Sequence, residues 1–170
     1  EWGYMLSWFI KKAGVEKYDY AVITKKEIFD YKFDKRIVEE LLNALEKYDI
    51  LYTHWGSWKR YDFPFITTRA FVHNMEARLP MLRQKLIRDT WPIARRYLKL
   101  GRNSLDNIAH TLNITDVEKT KVDPRMWALG RVGHTQALRY ISEHNKKDVQ
   151  VLEAVHKKLS VVEKPLLSTM

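Results

Sequence analysis

The chain contains no cysteine among its 170 residues, and it has only 6 glycines and 5 prolines. Without cysteine there is no disulfide, no thiolate zinc site and no cysteine nucleophile, so a metal ion would need carboxylate, histidine or backbone oxygen ligands. A hard cation such as Mg²⁺ or Mn²⁺ suits those ligands best. Neither a glycine-rich phosphate loop nor a G-x-S-x-G sequence occurs. This argues against P-loop nucleotide hydrolysis and against acyl transfer by a serine hydrolase.

Long hydrophobic runs are also missing from the sequence. None approaches the ~18 residues of a membrane span, and the opening residues Glu1 to Tyr4 lack the layout of a signal peptide. These absences predict a soluble, intracellular protein of the cytoplasm. The sequence opens without methionine and enters a strand-like stretch at once, which suggests that it starts inside a longer polypeptide.

Positive charge is in clear excess. The chain has 30 Lys and Arg against 21 Asp and Glu, a net charge of +9 and a pI of about 9.6. This balance favours polyanionic partners and makes nucleic acid the leading partner class, although a basic domain that binds no polyanion stays open as the alternative. The 45% of hydrophobic residues suffices for one sizeable core.

The hydrophobic pattern predicts the order β-β-α-β-α in the first half of the chain, which indicates a mixed α/β sheet. Asp34 is predicted to cap the first helix, and residues 113–133 are predicted to be irregular. Residues 1–159 are predicted to form one domain, and 160–170 a C-terminal tail. The predicted strands are 4–10, 18–24, 50–53 and a short one ending at 89; the predicted later helices are 64–74, 92–98, 104–112 and 134–159.

One acid on the last predicted helix stands out. Seven positions three and four apart form a single stripe: Leu138, Ile141, Asn145, Asp148, Leu152, Val155 and Leu159. Asp148 should therefore face inward, where a carboxylate needs hydrogen bonds or a cation. His144 lies one turn earlier, so its ring can reach the same side. The alternative is a polar notch in which Asn145 and Asp148 bond to neighbouring backbone.

A second acid, Asp62, follows a predicted strand, at a place where α/β folds put their sites. Asp62 could instead be the N-cap of the helix that opens at Pro64. The loop before it combines flat rings with cations, the composition that stacks bases and neutralises phosphates. Alternatively, the aromatic side chains of this loop cover the edge of the hydrophobic core. The loop residues concerned are Trp55, Trp58, Lys59, Arg60 and Tyr61.

The window from Arg83 to Arg102 carries seven basic residues, including Arg95 and Arg96, with Asp89 as its only acid. Such a run could follow a phosphate backbone. A solvated helix face is the competing interpretation.

These landmarks, in this order, resemble the DEDD-type 3'-to-5' exonucleases of the ribonuclease H-like superfamily. The resemblance is strongest to the small stand-alone branch related to the proofreading domains of family B DNA polymerases. It covers nearly the whole chain. The motifs that carry it are Met5-Leu6-Ser7-Trp8, Asp49-Ile50 leading to His54 and Tyr61-Asp62, Arg88-Asp89-Thr90, Leu105-Asp106-Asn107-Ile108-Ala109, and His144-Asn145-Lys146-Lys147-Asp148-Val149 with Leu152-Glu153.

The resemblance implies a mixed sheet flanked by helices and hydrolysis of single-stranded nucleic acid, DNA in preference to RNA, with two divalent ions, Mg²⁺ or Mn²⁺. Asp62 and Asp148 match two of the family's four metal-binding acids, and His144 takes the place of a Tyr that orients the attacking water. Asp89 and Asp106 match structural or supporting positions. At the position of Trp55 the family that this chain resembles usually has Asn.

The other two acids of the family form an Asp-x-Glu pair on a central strand, and the sequence lacks that strand. A fold without it is expected to have unpaired strand edges, and the 170-residue chain alone is expected to be inactive. A catalytically inactive module that binds nucleic acid or a protein partner is the alternative function.

Overall fold

Four short strands form two separate two-stranded sheets within residues 3–115 and 122–163, the part of the chain that the computed structural model describes. Strands β1 and β2 pair antiparallel, whereas β3 and β4 pair in parallel. Together with the surrounding helices they make the mixed α/β fold that the sequence predicts. The strands are β1 Ser7–Lys11, β2 Tyr18–Val22, β3 Ile50–Thr53 and β4 Leu86–Asp89.

Helices dominate the rest of the described chain. Several begin with a side-chain cap, such as Ser104, which accepts a hydrogen bond from the Asn107 amide. The helices are α1 Lys25–Phe29, α2 Lys35–Glu46, α3 Asp62–Val72, α4 Leu79–Arg83, α5 Thr90–Tyr97, α6 Leu105–Thr111, α7 Pro124–Arg131 and α8 Thr135–Leu159, with a 3-10 helix at Glu76–Arg78. No helix in the described ranges is both long enough and apolar enough to cross a membrane.

Helix α7 corrects the prediction that residues 113–133 are irregular. The Asp123-Pro124 pair begins the helix instead of breaking it, since the Asp123 side chain accepts a hydrogen bond from the Arg125 amide and proline occupies the first helical turn. Residues 116–121 of that segment lie outside the described part of the chain.

Two hydrophobic cores are joined by α8, which is about 37 Å long. The larger core packs the β1–β2 hairpin against α2 and α3, and receives Leu138 and Ile141 from the first half of α8. The smaller core packs α5 and α6 against Val151, Val155 and Leu159 from its second half. One helix therefore supports both ends of the molecule.

Asp34 has a different role from the predicted helix cap. It precedes α2, but its carboxylate makes no capping bond. Instead it is fully buried and accepts hydrogen bonds from the Met5 amide at 2.7 Å, from Arg69 at 2.8 and 2.5 Å, and from His73 at 2.7 Å. Burial alone would raise the pKa of Asp34, but the bonds from Arg69, Met5 and His73 outweigh it and hold that pKa below its ordinary value. Asp34 thus links the chain before β1 to α3.

A cavity of about 1220 Å³ lies between the two sheets. Every residue of β1 and every residue of β3 lines it, and each of these strands has only one partner among the described residues. Core side chains such as Leu6, Leu51 and Phe63 form part of the wall. This agrees with the unpaired strand edges that the sequence predicts.

Candidate functional site

Asp62 lies on the wall of this cavity, at the first residue of α3. Tyr61 occupies the N-cap position and no side-chain capping bond forms, so Asp62 is not the helix cap. Its carboxylate lies against Gly56, where an added Cβ would come within 2.2 Å of the Asp62 Oδ2 atom. The small residue at 56 therefore makes room for the acid.

The carboxyl group of Asp62 has an unusual environment. The residue is exposed on the cavity side, yet protein atoms surround its carboxylate closely. This crowding removes solvation and, together with the negative charge of Asp89, raises the pKa of Asp62 to about 6. An acid kept at a raised pKa on a cavity wall is typical of a functional site.

Asp89 organises the loop on which Asp62 depends. Its Oδ1 atom accepts hydrogen bonds from the Trp55 amide at 2.9 Å and the Trp91 amide at 3.0 Å, and its Oδ2 atom accepts one from the Ser57 amide at 3.0 Å. Burial would raise the pKa of Asp89, but these bonds hold it below its ordinary value. The arrangement supports the structural role that the sequence predicts for Asp89, whereas Asp106 is exposed on α6.

His54 ties the same loop to two later segments. Its Nδ1 atom is 2.9 Å from the Thr90 hydroxyl, and its Nε2 atom is 3.0 Å from the Asn103 carbonyl oxygen. The Thr90 hydroxyl in turn donates to the carbonyl of Thr53, at the end of β3. These contacts hold the ends of β3 and β4 together beside Asp62.

Asp148 lines the cavity from α8. The stripe predicts that Asp148 faces inward, and it does so towards the cavity rather than into a packed core. About a third of its side chain, 34%, is exposed, whereas His144 is buried and lies 3.3 Å from its Oδ2 atom. The His144 ring also packs edge-on against Trp127. Asn145 donates a hydrogen bond to the Ser7 hydroxyl at 2.7 Å. This is a contact to a side chain, whereas the alternative interpretation of the stripe expects a bond to backbone.

Part of the predicted nucleic-acid-binding set comes together beside the cavity. The rings of Trp55 and Trp91 meet edge to face with centroids 4.5 Å apart. The Arg60 guanidinium lies 4.5 Å from the Trp55 ring centre and 4.3 Å from that of Trp91, and Arg95 lies 5.2 Å from Trp91. Sequence reasoning missed Trp91, although it lies within the basic window and directly follows the Asp89-Thr90 motif.

The other predicted binding residues lie in different contacts. Trp58 packs on Phe63 in the core, with Arg83 over its ring. Tyr61 lines the cavity and stacks on Phe65, and Arg96 lies over Tyr97. Lys59 is exposed.

The described residues do not form a complete metal site. Asp62 and Asp148 share one cavity, but within residues 3–115 and 122–163 no three His, Asp or Glu side chains converge to hold a metal ion. Two carboxylates can bind one Mg²⁺ or Mn²⁺ ion together with water and substrate phosphate, but they are half of the four acids that the resemblance implies for two ions. The described donors therefore fit part of that two-ion site.

Comparison with known proteins agrees with the mixed α/β fold described above. A DNA polymerase of Methanocaldococcus jannaschii is 26% identical over 147 residues, which cover 74% of this chain but only 8% of the polymerase. No solved structure matches the chain. Residues 7–160, nearly the whole chain, match the family model of the RNase_H superfamily. The chain therefore belongs to the RNase_H superfamily.

Proposed function

We propose that the protein is a nuclease that removes nucleotides from the 3' end of single-stranded nucleic acid, DNA in preference to RNA. Members of its superfamily are generally nucleases, and a polymerase is among its relatives. The observation that carries the proposal is Asp62, a carboxyl with a raised pKa beside Gly56, lining the same cavity as Asp148. A cytoplasmic location belongs to the same proposal.

Dependence on Mg²⁺ or Mn²⁺ is part of the proposal. Asp62 and Asp148 would supply carboxylate oxygens to a divalent ion, and further ligands are needed beyond those that the described residues bring together. His144 is buried behind Asp148, so we assign it to positioning that carboxylate rather than to contact with substrate. His144→Gln should then lower activity about 10- to 100-fold.

The strand itself would be held by positive charge and flat rings beside the cavity. Arg60 lies over the Trp55 ring and Arg95 over the Trp91 ring, and Lys59 and Arg96 add exposed charge close by in sequence. Tyr61 contributes a ring on the cavity wall. Trp58, predicted to join this set, is better placed to stabilise the loop, because its ring packs on the core.

A nucleic-acid-binding module without catalysis is the second candidate. The observation that favours it is the incomplete donor set around Asp62 and Asp148. This candidate predicts that substitution of either acid leaves binding unchanged and that no cleavage occurs with any divalent ion.

The test uses the protein at its natural length and a 20-nucleotide single strand labelled at its 5' end. With Mn²⁺ we expect a ladder that shortens from the 3' end, and with EDTA no cleavage. Asp62→Asn and Asp148→Asn should each reduce cleavage at least about 100-fold, since loss of a ligand costs no less than loss of its supporting group. Asp30→Asn, an exposed acid at the end of α1, is the matched control.

The outcomes separate the two candidates. Cleavage that survives in Asp62→Asn or Asp148→Asn would contradict the assignment of the site. Binding without cleavage under every condition would support the binding module instead. A ladder that starts from the 5' end, read with a 3' label, would overturn the proposed direction.

A further inference from the structure

Two tryptophans from separate parts of the chain meet at the edge of the cavity. Trp55 belongs to the loop after β3, and Trp91 is the second residue of α5, after β4. Both line the cavity that contains Asp62 and Asp148. Trp55 is 42% exposed, so part of its ring is accessible to a ligand.

The backbone of both tryptophans is fixed by one atom. The Asp89 Oδ1 atom accepts from the Trp55 amide and from the Trp91 amide, so a single buried carboxylate oxygen sets their relative position. Trp55 also has a φ of +62°, in the left-handed region that a bulky side chain occupies at a cost. Strain of this kind persists where the surrounding structure over-determines it, and it concentrates at ligand sites.

Two cations complete the cluster. Arg60 lies over both indole rings and Arg95 lies over Trp91. The ion pairs of residues 3–115 and 122–163 include neither arginine. Their charges are thus available for phosphate, next to rings that can hold a base.

We propose that Trp55 and Trp91, supported by Arg60 and Arg95, form a stacking platform for the unpaired nucleobase at the 3' end of the bound strand. This inference rests on the proposed function, because it places the base next to the phosphodiester that reaches Asp62. Arg60 and Arg95 contact the phosphate that joins the terminal nucleotide to the strand and the next phosphate along it. Stacking is tolerant of base identity, so the platform selects unpaired ends rather than a sequence.

The test measures binding, in EDTA, of two 5'-fluorescein decanucleotides. One has an ordinary 3'-terminal nucleotide, and the other has an abasic tetrahydrofuran residue there. The protein should bind the abasic strand about 5- to 100-fold more weakly, the fold-change that loss of one stacked base corresponds to. Trp91→Ala should bind both strands with equal affinity. A strand with the abasic residue at its 5' end should bind the unchanged protein like the ordinary strand.

Three further variants distinguish loss of the stacking platform from misfolding of the protein. Trp55→Asn keeps a residue that tolerates the left-handed backbone, so it should fold and still lose most of the discrimination. Trp91→Phe keeps a smaller ring and should restore part of it. Phe29→Ala is the matched control, since Phe29 is also an exposed ring under a cation, Lys25, on α1 away from the cavity. It should discriminate like the unchanged protein.

The two proposals fail in different ways. If folded Trp91→Ala still discriminates between the two strands, the platform is wrong, whatever the cleavage assay shows. If the unchanged protein does not discriminate, the platform is wrong too. If discrimination depends on Trp91 but no ion supports cleavage, the platform stands and the nuclease activity is wrong.

Discussion

Gly56 is required by space at the site, not by backbone conformation. A Cβ at this position would meet the Asp62 Oδ2 atom at 2.2 Å and the Thr53 Cβ atom at 2.8 Å. Gly56→Ala should therefore displace the Asp62 carboxylate and lower the free energy of unfolding by about 1–3 kcal/mol, the usual cost of overpacking. Urea denaturation measures this change. Gly101→Ala is the control, since nothing lies within 4 Å of its Cβ position, and an equal loss there would contradict the explanation.

Asp62 itself should make the metal-free protein less stable above neutral pH. Its pKa in the folded protein, about 6, is raised above that of the unfolded chain, so the folded state binds the proton more tightly. The penalty is therefore largest above pH 6 and disappears as pH falls towards 4. In EDTA, Asp62→Asn should melt at a higher temperature than the unchanged protein at pH 8. The difference should shrink by pH 5, and calorimetry that finds it constant would contradict the raised pKa.

The candidate site was predictable where a motif marks it. Asp62, Asp148 and His144 are identified from the order and spacing of the motifs, and both acids line one cavity. Their roles stay predictions. Trp91 was not predictable, because its meeting with Trp55 depends on hydrogen bonds from both amides to Asp89 across 34 residues of sequence. Helical spacing predicts that Asp148 faces inward, but it does not tell whether the residue meets a packed core or a cavity.

At the scale of elements, α1 depends on a capping network. Thr24 and Glu27 form a reciprocal capping box, and Glu27 accepts from Arg36 at 2.6 Å, while Arg36 also binds Glu40. The hydrogen bond from Arg36, together with those from Thr24, outweighs burial and lowers the pKa of Glu27 to about 2. Because this folded-state pKa is depressed, the stabilisation is present above about pH 4.5 and is lost as pH falls to 2.

Glu27→Gln should accordingly cost about 1 kcal/mol at pH 7 and nothing near pH 2. Guanidinium denaturation at the two pH values gives the difference. Glu40→Gln, which leaves the capping box intact, is the comparison and should cost less. Equal costs for the two variants would mean that the charge of Glu27 adds nothing to the capping box.

Elements with a long apolar period could be predicted, as could the short strands, but the shortest helices could not. Helix α8 has 25 residues and a continuous stripe, so its bounds of Thr135–Leu159 nearly equal the predicted 134–159. Helices α1 and α4 have five residues each, too few for a period, and are held by caps and tertiary contacts. Helix α7 was missed because Asp-Pro both ends and begins helices, and only the side-chain cap decides between the two.

At the scale of the whole molecule, the buried Asp34 network joins parts that are distant in sequence. Removing the charge with Asp34→Asn would leave Arg69 buried without its partner, which typically costs 3–5 kcal/mol. We expect a loss of about 3 kcal/mol in the free energy of unfolding, measured by urea denaturation.

The double variant Asp34→Asn/Arg69→Met provides the check on that interpretation. Since the single changes remove one shared interaction, the double change should cost clearly less than their sum. Strict additivity would show that Asp34 and Arg69 stabilise the fold independently.

The mixed α/β class follows from the β-β-α-β-α order, and the parallel pairing of β3 with β4 follows from the helices between them. The division into two half-sheets was only partly predictable. Sequence pattern identifies strands, but the space between β1 and β3 is a property of the packed molecule.

That space has a consequence for the behaviour of the protein in solution. A two-stranded sheet is marginal by itself. The free edges of β1 and β3, beside that space, carry backbone groups with no strand next to them in the described chain. Such edges are templates for extended polypeptide of any origin, including neighbouring copies. The behaviour of the isolated chain therefore depends on its concentration. In dilute solution the cavity stays open, whereas at high concentration neighbouring molecules are prone to pair at these edges and form β-rich aggregates.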